Sequence, residues 1–254
     1  MIDWTRLTLL LYVLMRMTGF VLFNPILGRR GIPGMVRSGL ILILTVTVMA
    51  MTRQTVPLPS NLLSLMLRLL LELTLGYLLG LVMNIFFAIP IFAGEMIDSQ
   101  MGLTMAKTYD AGSQSSMSVT ATLLNLLMVL LFFTAGGHNT LFRILLTSGD
   151  LIPFGSAALG ANVTELLLEL FVECMVLAVK LALPILAAEL MAQVGMGILM
   201  KAIPQINVFS INIELKVVIG LVLIFLLLSP FTDFLLDTEV RMLAALRQAL
   251  SLAH

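Results

Sequence analysis

The sequence predicts an all-α, membrane-associated protein, and three observations carry that reading. Hydrophobic residues make up 60% of the 254 residues and charged residues only 11%, where a soluble domain would carry roughly a quarter charged. Apolar stretches recur at lengths that suit helices rather than strands, up to and beyond the ~20 residues a spanning helix needs. Charges are scattered inside those stretches, so the helices need partners or water as well as lipid. The chain is an integral membrane protein or part of an apolar assembly. Its formal net charge of zero argues against a nucleic-acid partner, which would want a basic face.

Six apolar stretches read as helices: Leu7 to about Leu27, Ser38 to Met51, Leu62 to about Phe92, Val119 to Ala135, Val163 to Met200 and Val217 to Leu236. The second is short for a span. The third and fifth are long and contain Pro90 and Pro184, each of which removes a backbone donor, so a kink or break is expected there. Between them, Gly28 to Gly34 forms a basic turn, and Arg53 to Ser60 with Pro57 and Pro59 forms a second connection. Gly136-Gly137-His138-Asn139 and Pro153-Phe154-Gly155 bracket a short helical piece carrying Arg143. Asn162 with Glu165 has capping-box spacing at the start of the fifth helix. Lys201 to Asn207, with Pro204, makes the last connection. No period of 20 to 50 residues suggests a solenoid. Lone Cys174 offers neither a disulfide framework nor a metal cluster. Asp3 in place of a basic start, and Arg16 within the first apolar run, argue against a cleaved signal peptide.

The internal charges are Arg16, Arg68, Glu72, Glu95, Asp98, Glu169, Glu173, Lys180, Glu189, Glu214 and Lys216. Each costs about 2.5 to 3.5 kcal/mol at a helix centre unless compensated. Arg68 and Glu72, one turn apart, are expected to pair. Glu165, Glu169 and Glu173 share one helical face, where Glu165 can serve as a cap and the other two want cations: Lys180, or a neighbouring subunit. Basic residues in the first connection and in both tails pull the positive-inside rule in opposite directions. Gly76 and Gly80 form a GxxxG that lets helix backbones approach, and Gly195 with Gly197 could do the same.

Residues 93–118, AGEMIDSQMGLTMAKTYDAGSQSSMS, form a polar, small-residue island threaded with Met96, Met101, Met105 and Met117. Polar backbone at membrane depth is tolerated only inside protein or along a watery path, which makes this stretch the leading functional candidate. Enzyme signatures are missing: the sequence holds no HExxH, GxSxG or GxxxxGK[ST], and only His138 and His254 as histidines. A hydrolase built from Ser113, Ser115 or Ser116 with His138 has no motif behind it, and His138 reads as a structural hydrogen-bonding residue. The rival from another class is a secondary transporter for a small solute or ion, with Glu95 and Asp98 near the Pro90 break as a midplane site.

The order of motifs resembles the FliR family, the R component of the flagellar type III protein export gate, whose injectisome counterpart is the T component. The resemblance spans nearly the whole chain. It rests on Arg16, Asn24-Pro25, Arg30-Gly31-Ile32-Pro33 and Val36-Arg37; on Glu72 with Gly76 and Gly80; and on the run from Ala93 to Leu103. Gly137-His138, Pro153, Gly155, the run Pro204 to Phe209 and Leu215-Lys216 complete it. Two places depart: Asp110-Ala111 stands where Asp-Pro is usual, implying a less rigid loop, and Asn212 and Glu214 replace a usual Gly and Pro.

The resemblance implies antiparallel helical hairpins, some kinked, packed into a hetero-oligomeric helical assembly with P-type, Q-type and B-type subunits around a pore for unfolded export substrates. It implies a P-like part over 1–160 and a Q-like part over 161–254, in the bacterial cytoplasmic membrane at the flagellar basal body, with part of the assembly above the outer face. It implies a pore plug at Met105, Lys107, Tyr109, Asp110, Gly112, Ser113, Gln114, Ser115, Ser116 and Met117, and a gate packing motif of Gly94, Glu95, Asp98, Gln100, Met101 and Gly102. Subunit contacts are expected at Glu169, Glu173, Lys180, Pro204, Gln205 and Asn207. No catalytic residue, cofactor or metal is expected. Met and Tyr suit an adaptable apolar constriction, and energy for transport would come from elsewhere.

Overall fold

The computed structural model describes residues 4–29, 31–52, 54, 56, 58–59, 61–103, 118–158, 160–202 and 208–253; of residues 161, 202 and 208–213 it describes the backbone alone. Among the described residues the chain forms eight helices and no strand. They are α1 (Trp4–Phe23), α2 (Gly34–Met51), α3 (Leu62–Met101), α4 (Val119–Thr134), α5 (Gly137–Leu151), α6 (Ala161–Ala202), α7 (Val208–Leu226) and α8 (Leu228–Leu252). Four of them, α1, α2, α3 and α6, are long and apolar enough to cross a membrane, and the count rises to six if each of two bent pairs is one span.

Several boundaries depart from the sequence expectation for local reasons. α1 stops at Phe23, short of Leu27. Pro25 has no N–H to continue a helix, and the Asn24 side-chain oxygen accepts the N–H groups of Ile26 at 2.8 Å and Leu27 at 2.9 Å, folding the chain into a turn. The helical assignment runs through Pro90 and Pro184 without a break. The capping box at Asn162 does not form, because α6 starts one residue earlier and places Asn162 inside its first turn. The sixth expected helix is interrupted at Leu227 by a 62° bend, and the tail beyond it is helical to Leu252.

The chain divides into two compact units. The first comprises Met1–Phe86, Phe133–Val172 and Glu239–His254. Here α1 buries Leu9, Tyr12, Val13, Met17 and Phe20 at the three-to-four spacing of one helical face. That face meets the first half of α3 with Leu75, Leu79, Val82 and Met83. The backbones touch: a Cβ on Gly19 would strike the Leu73 carbonyl and one on Gly76 the Arg16 carbonyl, while one on Gly80 would lie 2.9 Å from Phe23. The GxxxG expectation is met by α1. Gly195 and Gly197, in contrast, have nothing near them within the chain.

At the centre of this unit Arg16 and Glu72 form a fully buried pair. Arg16 Nε donates to Oε2 at 2.6 Å and Nη2 to Oε1 at 3.2 Å. Its remaining donors go to Ser148 Oγ at 3.2 Å and to the Ile152 carbonyl at 3.1 Å. The Phe154 ring lies 4.3 Å from the guanidinium, and the Gly155 N–H donates to Glu72 Oε1 at 2.7 Å. This corrects the expected Arg68–Glu72 pair. A same-helix surface pair contributes only ~0.2–0.5 kcal/mol, whereas a buried guanidinium without its acid costs ~3–5 kcal/mol, so Glu72 serves Arg16.

The second unit comprises Phe87–Phe132 and Glu173–Thr238. The second half of α3 and the first part of α4 run antiparallel, with Phe87 edge-to-face against Phe132 at 6.3 Å. Ile89, Ala93, Ile97, Ala121, Leu124 and Met128 fill the core together with Cys174, Leu181, Ala182 and Ile185 of α6.

Candidate functional site

The run from Ala93 to Met101 is the last part of α3, so the helix continues past the expected end near Phe92 into the front of the polar island. Helical spacing then sorts its residues. Ala93, Gly94, Ile97, Asp98 and Met101 are buried, Glu95 and Ser99 are exposed, and Met96 and Gln100 are half-buried.

The buried set explains why small and polar residues stand here. At Gly94 the α4 backbone passes so close that a Cβ would meet the Ala121 nitrogen. One turn on, the Asp98 carboxylate accepts the Thr120 N–H at 3.3 Å. That amide belongs to the first turn of α4, whose N–H groups lack intrahelical partners. Ser118 completes the cap, its hydroxyl oxygen accepting the Ala121 N–H at 3.0 Å. Asp98 Oδ1 and the Gln100 amide nitrogen are buried without a hydrogen-bond partner among the described residues. Met101 is fully buried, and Gly220 of α7 leaves room for its thioether, which a Cβ there would strike. Gly102 closes the helix at φ +81°, with its N–H on the Ser99 carbonyl at 3.2 Å. Only glycine adopts that left-handed conformation without strain.

Together these contacts make a hairpin pinned at its tip: 87 against 132, 94 against 121, 98 against 120. The expected plug residues, Met105, Lys107, Tyr109, Asp110, Gly112, Ser113, Gln114, Ser115, Ser116 and Met117, lie outside the described residues. Exposed Glu95 sits in a groove of about 370 Å³ with Phe92, Met96, Met175 and Val179. Glu95 and Asp98 therefore occupy different environments, one open and one occluded, and do not form a joint site.

Of the expected contact residues, Glu169, Glu173 and Lys180 are exposed on α6, and Pro204, Gln205 and Asn207 lie outside the described residues. His138 is not the expected hydrogen-bonding residue. Its ring packs on Phe133 at 5.5 Å, and its Nδ1 is buried without a partner among the described residues.

A family model described as bacterial export proteins, family 1, matches residues 7–240. The chain belongs to the bacterial export proteins, family 1. Among its relatives, the flagellar biosynthetic protein FliR of Escherichia coli (strain K12) is 30% identical over 247 residues, covering 96% of this chain and 93% of the relative. FliR of Pectobacterium carotovorum subsp. carotovorum is 28% identical, covering 99% and 96%. Yop proteins translocation protein T of Yersinia pestis is 28% identical, covering 87% of each chain. Within this bacterial export protein, sequence reasoning missed the Arg16 clamp at Ser148, Ile152 and Gly155. The available signal was Arg16 itself, a guanidinium inside an apolar helix that demands an acid elsewhere.

Proposed function

We propose that this chain is a structural, pore-forming subunit of a bacterial flagellar type III protein export gate, helping to form and plug the channel for unfolded export substrates. The observation that carries the proposal is the family match along nearly the whole chain, joined to a capped α3–α4 hairpin that flanks the Met-, Ser- and Gly-containing segment 104–117 in the sequence. In this reading a rigid, capped base presents a displaceable segment to the pore, and passage breaks a few weak contacts instead of unfolding the gate. Residues 1–160 form a P-like part and residues 161–254 a Q-like part. The partners are P-type and Q-type subunits and a B-type subunit, in the bacterial cytoplasmic membrane at the flagellar basal body. Exposed apolar residues on α6, including Leu168, Val172, Leu183, Val194 and Ile198, together with Glu169, Glu173 and Lys180, supply surface for those partners. A transporter site at Glu95 and Asp98 is disfavoured by their separate environments.

The test is co-purification of the tagged chain from its host in mild detergent, followed by deletion of Tyr109 to Ser116. Stable P- and Q-type partners, and ion leak on deletion, are the expected results. A chain recovered alone as a homo-oligomer would overturn the proposal.

A further inference from the structure

Arg68 stands one helical turn before Glu72 on α3, yet Glu72 is fully buried and its carboxylate is turned to Arg16 and Gly155. Arg68 is half-buried and makes no hydrogen bond or ion pair among the described residues. Among the described residues no acid answers Arg68.

Beside Arg68 lies a cleft of about 550 Å³, lined also by Gln54, Val56, Pro153, Phe154 and Ser156. Its other polar side chains are already engaged. The Gln54 amide donates to the Gly149 carbonyl at 2.6 Å, and its oxygen accepts the Phe154 N–H at 3.4 Å. The Ser156 hydroxyl donates to the Pro153 carbonyl at 2.7 Å. Among the described residues no carboxylate lines the cleft, and the guanidinium fork of Arg68 matches the geometry of a phosphate.

Position narrows the ligand further. The cleft adjoins the connection between α2 and α3, two helices each long and apolar enough to cross a membrane. If both helices span, the connection between them lies at one membrane face. Arg68 is six residues inside α3, roughly 9 Å along its axis at 1.5 Å per residue, within reach of the headgroup layer for a long basic side chain. Leu62, Leu63, Met66, Leu67 and Leu70 on the same helical segment are 54–70% exposed, an apolar flank suited to acyl chains. A zwitterionic headgroup would bring a second cation beside the Arg68 guanidinium, an unfavourable like-charge contact.

We propose that this cleft binds the headgroup of an anionic phospholipid, with Arg68 holding the phosphate. The site does not depend on the export role and can be read on the full chain alone. The experiment is native mass spectrometry of the detergent-solubilised full chain with phosphatidylglycerol, phosphatidylcholine or glycerol 3-phosphate. The expected result is one tightly held phosphatidylglycerol, preferred at least about tenfold over phosphatidylcholine, a difference of ~1.4 kcal/mol. Arg68→Met abolishes that preference, Arg68→Lys keeps part of it, and Arg143→Met, on exposed α5 surface, leaves it intact. Thermal unfolding of Arg68→Met is expected to match the parent, because no partner among the described residues is lost. Equal binding of the two lipids, or undiminished phosphatidylglycerol binding by Arg68→Met, overturns the proposal. Glycerol 3-phosphate binding as tightly as the lipid also overturns it, since the site would then read free phosphate. So does loss of neighbouring subunits from the Arg68→Met complex without loss of lipid, which would assign Arg68 to an acidic side chain of a partner protein.

Discussion

Two arginines and one glutamate show how burial decides pairing. The spacing of Arg68 and Glu72 is a local pattern and therefore visible in the sequence. The Arg16–Glu72 pair joins residues 56 apart and has no local signature. Energetics orders the two: the exposed alternative contributes tenths of a kcal/mol, the buried one several. Arg16→Met or Glu72→Leu alone is expected to destabilise the isolated chain by about 3–5 kcal/mol, because each strands a buried charge. The double variant is expected to lose much less than the sum of the two, since it leaves no charge behind. Thermal unfolding of the full chain in detergent checks both, and additive losses would contradict the clamp.

At the scale of elements, the apolar runs made the helices legible but their ends were less so. The part of α8 beyond Leu236 escaped because Asp237, Glu239, Arg241 and Arg247 dilute its hydropathy, although Met242, Leu246 and Ala249 keep a helical burial period. The helix was expected to end near Phe92 because the polar residues of 93–102 were counted without their helical phase. Placed on a helix, Gly94 and Asp98 become the face that receives α4. Asp98→Ala should therefore cost about 0.5–2 kcal/mol through the lost cap, and Asp98→Asn, which keeps an acceptor, clearly less. Gly76→Ala should destabilise by about 1–3 kcal/mol by forcing α1 and α3 apart. Gly195→Ala and Gly197→Ala, in open helix surface, should stabilise the isolated chain by up to ~1 kcal/mol. Denaturation midpoints of the five variants in one detergent test these contrasts.

At the scale of the whole molecule, composition gave the class and motif order gave the family, while neither gave the contacts within the chain. If the α6 surface faces partner subunits, Glu169→Lys leaves unfolding of the isolated chain within ~0.5 kcal/mol of the parent yet lowers recovery of partners in a pull-down. Equal recovery would move the contact elsewhere on the chain. The central clamp also carries a timetable. Arg16 reaches Ser148 and Ile152 across 132 and 136 residues, and Glu72 reaches Gly155 across 83. At synthesis rates of about 5–20 residues per second, roughly 4 to 17 s separate Glu72 from Gly155 on the ribosome. During that interval the guanidinium has its acid but lacks its hydroxyl and carbonyl acceptors. A nascent chain stalled before Ser148 thus holds its N-terminal helices around a half-satisfied cation, which makes the arrival of the 148–155 segment the step that commits them.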